Sequence, residues 1–184
     1  AYCDFLSGPA GREEQEAYVR ALRREISTAS KMAEEYEVST VFLGGGTPSI
    51  LPPEAVDGIL RTVRESFSLS PNAEITMELN PGTDGKEKME AYRKAVINRL
   101  SIGLQSANDQ ELHTLGRIHT WQDFRNTYEA ARKAGFANIN IDLMSAIPGQ
   151  TLKSYEKTLE RVCSLCPEHI SAYSLILEEG TLFW

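Results

Sequence analysis

Three polar side chains, Glu78, Gln105 and Asp142, each fall near the C-terminal end of a run in which apolar and polar residues alternate. A fourth run, residues 38–43, ends in Gly44-Gly45-Gly46-Thr47-Pro48. Two carboxylates and an amide can accept hydrogen bonds from an amine or a diol, or hold a proton. Glycines at a strand end let backbone approach a ligand closely. A phosphate loop would use free N–H groups and a helix N-terminus, but Pro48 removes one N–H and neither GK[ST] nor GxGxxG is present. Strand-end carbonyls instead suit a cationic amine, and a purely structural tight turn is the alternative reading of the glycines. Arg117, after Leu115-Gly116, is a candidate to reach a ligand carboxylate. Cys163, Cys166 and His169 resemble half of a zinc site, but only three ligands are available locally. The cysteine pair also lies in a helix-to-strand connection, away from the carboxylates, and is read as structural.

These residues need a scaffold that brings strand ends together. Helical periodicity covers residues 12–36, with Tyr18, Leu22, Ile26, Ala29 and Ala33 on one stripe. A second helix opens at Pro52-Pro53, with Val56, Ile59, Leu60 and Val63 inward. Strands are predicted at 38–43, 73–79, 99–105, 138–144 and 169–177, and helices near 85–95, 120–135 and 152–164. Thr120-Trp121-Gln122-Asp123 is a capping box and Gly135 a stop signal. Alternating strands and helices imply parallel strands with right-handed crossovers. Ile75, Met77 and Leu79 share one face of their strand, and Thr76, Glu78 and Asn80 the other. The next two strands repeat the pattern: Leu100, Ile102 and Leu104 oppose Ser101, Gly103 and Gln105, while Ile139, Ile141 and Leu143 oppose Asn138, Asn140 and Asp142. Parallel strands covered on both faces are almost wholly apolar. One polar face therefore predicts an α/β barrel, wide or incomplete, with helices outside and a ligand-bearing interior; an antiparallel sheet with one wet face is the competing reading. Glu78, Gln105 and Asp142 would stand at the catalytic mouth of such a barrel.

The chain has 184 residues, enough for one domain, and a formal net charge of −7 with both signs interspersed. That balance argues against a nucleic-acid surface. No run is long enough to span a bilayer and no signal-peptide pattern opens the chain, so an integral membrane protein is not expected. Three cysteines are too few for a disulfide scaffold and fit a reducing, cytoplasmic setting. Both ends read as cut from a longer protein, with no lead-in strand before Ala1 and no capping element after Trp184.

Taken together, Tyr2-Cys3-Asp4-Phe5, Leu43-Gly44-Gly45-Gly46-Thr47-Pro48-Ser49, Glu78-Leu79-Asn80-Pro81-Gly82-Thr83 and residues 99–106, 115–120, 140–151 and 170–175 resemble the radical S-adenosylmethionine family of oxygen-independent coproporphyrinogen III oxidases and their relatives. The resemblance covers essentially the whole chain, residues 1–184, as one core domain. It implies a partial TIM-type (β/α) barrel, a [4Fe–4S] cluster and S-adenosylmethionine. The family holds its cluster by a CxxxCxxC motif. Cys3 resembles the third cysteine, and the first two would lie upstream of this sequence. By resemblance, Tyr2 lies against the cluster and adenosine, and Gly45, Gly46 and Thr47 receive the methionine end. Glu78, Gln105, Arg117 and Asp142 contact polar groups of the cofactor, and Ser174 sits near the adenosine.

One position separates two branches. The decarboxylating oxidase carries a cysteine two places after the third, where this chain has Phe5. The Tyr-Cys-Asp-Phe form resembles the haem-chaperone branch, which implies haem as a further ligand and a haem-accepting respiratory protein as partner. The alternatives are coproporphyrinogen III oxidation to protoporphyrinogen IX and, in another class, a cluster-free barrel that binds a small polar ligand. His113, His119 and His169 are haem-ligand candidates by residue type alone.

Overall fold

A computed structural model describes residues 8–82, 85–181 and 183; Tyr2, Cys3 and Phe5 lie outside the described residues. Five parallel strands form one sheet in sequence order: β1 (Glu37–Leu43), β2 (Ser68–Leu79), β3 (Arg99–Gln105), β4 (Ile139–Ser145) and β5 (His169–Ser174). The helices between them are α1 (Arg12–Ala29) before β1, α2 (Pro53–Ser66), α3 (Lys86–Lys94), α4 (Asp109–Thr114), α5 (Trp121–Lys133) and α6 (Leu152–Cys163). This is the parallel five-stranded half-barrel of the TIM-type fold, and the antiparallel alternative falls.

The outer face of the sheet is the apolar one. Ile75, Met77 and Leu79, with Leu100, Ile102, Leu104, Ile139, Ile141 and Leu143, form one buried cluster with Leu60 of α2, Tyr92 of α3, Phe124 and Tyr128 of α5 and Val162 of α6. Truncating a fully buried member such as Met77 to Ala costs about 2–5 kcal/mol. The inner face carries the polar alternates, so the strand pattern by itself orients Glu78, Gln105 and Asp142.

Three boundaries differ from expectation, each for a local reason. β2 begins at Ser68 instead of 73, because the register against β1 shifts between Val38 and Thr40. Pro71, which cannot donate to a ladder, sits in that irregular stretch. The first helix ends at Ala29 and a 3₁₀ turn follows over Ser30–Met32, so the predicted 12–36 segment is helical only as far as Met32. β5 stops at Ser174; beyond it Leu175 N–H still donates to Ser145 O at 2.9 Å, while Ile176 and Leu177 are exposed. The Thr120–Asp123 capping box is present, with Thr120 N–H to Asp123 Oδ2 at 2.9 Å and Asp123 N–H to Thr120 Oγ1 at 3.2 Å. Among the described residues, no helix is long and apolar enough to cross a membrane.

Candidate functional site

The strands' C-terminal ends open into a cleft of about 680 Å³, lined by Gly45, Gly46, Thr47, Glu78, Asn80, Ser101, Gly103, Gln105, Arg117, Asp142, Tyr173 and Ser174 among others. Every described candidate from the sequence (Gly45, Gly46, Thr47, Glu78, Gln105, Arg117, Asp142 and Ser174) therefore meets in one place. A larger groove of about 990 Å³ runs between α1 and β1, but its lining is mainly apolar and holds no pair of opposed charges. The charged candidates lie in the smaller cleft.

The glycine edge is tied to β2. Gly45 takes φ +107°, which a side chain would strain, and its N–H donates to Glu78 Oε2 at 3.3 Å. Asn80 Nδ2 donates to Thr47 Oγ1 at 3.1 Å. Behind the edge, the carbonyl of buried Ser49 receives Lys88 Nζ and the Tyr92 hydroxyl of α3.

Arg117 reaches the cleft because α4 ends in a Schellman turn. Gly116 N–H donates to His113 O and Arg117 N–H to Leu112 O, both at 2.9 Å, with Gly116 at φ +74°. The chain doubles back and lays the guanidinium over β3. It fits there because Gly103 has no side chain: a Cβ would lie 3.1 Å from Arg117 Nη2 and 3.2 Å from Asn80 Oδ1. Arg117 Nη1 donates to Asn80 Oδ1 at 3.0 Å, yet its Nε is buried without a hydrogen-bond partner. An orphaned guanidinium N–H is costly unless an acceptor completes it.

The acids are equally incomplete. Burial pushes the Asp142 carboxyl above its ordinary pKa, against hydrogen bonds from Asn140 and Ser101 and the charge of Arg117. Glu78 is also raised, first by burial and further by the Asp142 charge, against the Gly45 N–H. Two half-desolvated carboxylates favour a cationic or hydrogen-donating partner. Gln105 sits in left-handed backbone at φ +71°, a strained conformation typical of functional positions, and its Oε1 accepts from the Tyr173 hydroxyl at 2.8 Å. Ser174 Oγ lies 3.1 Å from Ser145 Oγ at the rim.

Asn80, Gly103 and Tyr173 were not singled out as site residues by the sequence. Alternation already put Asn80 and Gly103 on the polar face. Carrying that alternation into residues 169–174 would have put Tyr173 there, beside Ser171. Of the histidines, His119 is buried, with Nε2 3.2 Å from Leu104 O and a pKa lowered first by burial and then by Arg117. His113 is exposed on α4. His169 turns inward to Asn140, away from the exposed Cys163 and Cys166. Among the described residues, no group of three or more His, Cys, Asp or Glu side chains could hold a metal ion.

The chain matches the Radical SAM superfamily model over residues 1–162. It is 39% identical over 183 residues to the haem chaperone HemW of Escherichia coli, covering 99% of this chain and 48% of that protein. It is 38% identical over 181 residues to the mitochondrial radical S-adenosyl methionine domain-containing protein 1 of Danio rerio, covering 98% of this chain and 41% of that one. The chain thus spans about half the length of the curated relatives it matches. Among solved structures, the coproporphyrinogen III oxidase HemN of Escherichia coli superposes with a TM-score of 0.86 at 28% identity, over 95% of this chain and 41% of that one. The fold also recurs at 13% identity and TM-score 0.70 in anSMEcpe, a structure with bound AdoMet. With the family model matching most of its length and its half-barrel superposing on HemN, the chain belongs to the Radical SAM superfamily.

Proposed function

We propose that this chain is the core of a haem-handling radical S-adenosylmethionine protein of the chaperone type. The observation that carries the cofactor reading is the orphaned Arg117 Nε standing in the same cleft as two carboxylates with raised pKa. A ligand with a carboxylate, an amine and a diol answers all three needs. Arg117 would take the methionine carboxylate, the glycine edge at Gly45, Gly46 and Thr47 would border the methionine end, and Glu78, Gln105 and Asp142 would accept from amine and hydroxyl groups. Ser174 would border the adenosine, and Tyr2 and Cys3 would stand at the cluster, Cys3 as one of its thiolate ligands. When bound, cluster and cofactor supply one-electron radical chemistry; the residues described here bind, orient and neutralise charge.

The haem-chaperone reading is supported by Phe5, which replaces the oxidase branch's additional cysteine, and by 38–39% identity to bacterial haem chaperones across nearly the whole chain. Coproporphyrinogen oxidation is the second reading, favoured by the HemN superposition. Haem or a porphyrinogen is the ligand to be handled, a respiratory protein the recipient, and the cytoplasm the setting.

The test uses the full-length protein with its cluster reconstituted anaerobically. One sample receives coproporphyrinogen III, S-adenosylmethionine and a reductant; a parallel sample is titrated with haem. Stable haem binding without decarboxylated product is expected, and decarboxylated product would overturn the chaperone reading. A protein that takes up no cluster would leave the small-ligand barrel instead.

A further inference from the structure

Below the mouth, the inner face holds a second polar set that the reading above leaves without a role. Strand pairing sets Ser101, Asn140 and His169 at one level across β3, β4 and β5. Adjacent strands lie only about 4.8 Å apart, so side chains on this level touch. His169 Nδ1 lies 2.5 Å from Asn140 Oδ1, and Ser171 Oγ donates to the same oxygen at 3.0 Å. A carboxamide oxygen only accepts, so His169 Nδ1 carries the proton. The Asp142 carboxylate, which only accepts when ionised, fixes which way the amide points. Asn140 Nδ2 therefore faces upward, 2.8 Å from Asp142 Oδ1 and 2.8 Å from Ser101 Oγ. The reversed amide would set its oxygen against the Asp142 carboxylate. Ser101 Oγ completes the set with a hydrogen bond to Asp142 Oδ2 at 3.2 Å.

We propose that His169 and Asn140 are positioning residues for Asp142: His169 locks the Asn140 amide, and Asn140 holds the carboxylate aimed into the cofactor cleft. The inference rests on the reading that Asp142 contacts S-adenosylmethionine. Several features support it. The apolar outer face already holds the strands, so a buried polar chain adds desolvation cost without being needed to close the sheet. The chain leads from His169 through Asn140 to the Asp142 carboxylate. Of the contacts that oppose burial at Asp142, the Asn140 hydrogen bond is foremost. Among the described residues, the other charged groups facing Asp142 are Glu78 from β2 and Arg117 from the loop after α4.

Two readouts on full-length, cluster-reconstituted protein test this: S-adenosylmethionine affinity by calorimetry, and the Asp142 carboxyl titration by isotope-edited infrared spectroscopy of the ligand-free protein. Asp142→Asn identifies the band. Asn140→Ala is expected to weaken affinity about tenfold, the scale of one hydrogen bond to a charged group. It should also move the carboxyl titration to higher pH. His169→Ala should do the same to a lesser degree, about threefold in affinity, while His169→Asn, whose amide can donate to the same oxygen, should restore both readouts. In an Asp142→Ala background, His169→Ala should change affinity no further. An Asp142 titration unmoved by Asn140→Ala and His169→Ala would overturn the positioning role, as would equal behaviour of Ala and Asn at position 169 or multiplying effects at 142 and 169. If instead the titration moves but Asp142→Ala keeps full affinity, the positioning of Asp142 stands and the cofactor reading of the cleft falls.

Discussion

Two arginines, one at each end of the half-barrel, are surrounded in opposite ways. At the N-terminal end of the strands, Arg132 donates to Tyr128 Oη at 2.6 Å, Phe136 O at 3.1 Å, Cys166 O at 3.3 Å and Glu168 Oε1 at 3.0 Å, while its guanidinium stacks on the Tyr128 ring. Glu168 in turn accepts Ile139 N–H at 2.9 Å. Burial pushes the Glu168 carboxyl up, but the Arg132 and Ile139 hydrogen bonds outweigh it and hold the pKa below its ordinary value. At the C-terminal end, Arg117 has a buried Nε with no partner, and both facing carboxyls are raised. The lower cluster is complete in the protein alone and staples helix ends to strand starts. The upper cluster is incomplete in the protein alone, as a ligand site is before it is filled. Cys163 and Cys166 lie in the connection that Arg132 braces, where Cys166 N–H donates to Cys163 O at 3.0 Å.

Removing each arginine separates these roles most sharply. Arg132→Ala strips Glu168 and the two carbonyls of their donor. With the side chain about a quarter exposed, solvent screens part of the loss, which leaves about 2–3 kcal/mol. A drop in Tm of about 5–10 °C should follow, with S-adenosylmethionine affinity unchanged in the protein that remains folded. Arg117→Ala should do the reverse: affinity falls by about tenfold to a hundredfold while Tm moves by less than about 2 °C. Thermal melts and calorimetric titrations of both variants decide the matter, and equal losses of stability from the two would erase the distinction.

How far the sequence alone reaches depends on how local the signal is. The polar inner face was legible from period-two alternation at residues 75–80, 99–105 and 138–144, because an incomplete barrel leaves one strand face for ligand. Arg117 was legible as a candidate from its place in the loop after the Gln105 strand, whereas the Gly116 turn that aims it was not. The hydrogen bonds from Asn80 to Thr47 and from Tyr173 to Gln105 were not legible. They join strands 33 and 68 residues apart in sequence, and only the register between strands sets which side chains meet. The early start of β2 was hidden for the opposite reason: Pro71 is a correct local signal against a regular ladder, and the register irregularity absorbs it.

A smaller perturbation tests whether the upper arginine is held by shape. Gly103→Ala adds one methyl 3.1 Å from Arg117 Nη2 and 3.2 Å from Gln105 Nε2. The guanidinium is the free end of a long side chain and can shift by a few tenths of an ångström, so the fold should survive. Its aim should not: affinity is expected to fall about fivefold. An unchanged titration would mean that Arg117 is not confined by β3.

The smallest effect is the most discriminating, because its sign differs between the two ends. At the lower cluster the ionised form of Glu168 is the favoured one, so neutralising it should destabilise the protein at neutral pH. At the upper cluster the folded Asp142 carboxyl titrates above its ordinary value, so burial favours the protonated form. Its stabilising contribution is fully present below the unfolded carboxylate pKa and is lost as pH rises through the folded value. Where Asp142 is ionised, its charge works against that burial. Asp142→Asn removes that charge, and the amide can still accept from Asn140 and donate to Ser101 Oγ. Without ligand, Asp142→Asn should melt above the wild type by about 2 °C at pH 7, and the gap should close as the pH falls and the wild-type group takes up its proton. Saturating S-adenosylmethionine should reverse the order, since a ligand stabilises most the form that binds it best. A ligand-free Asp142→Asn that melts below wild type at neutral pH would make Asp142 a structural acid like Glu168, and the two ends of the barrel would no longer differ in kind.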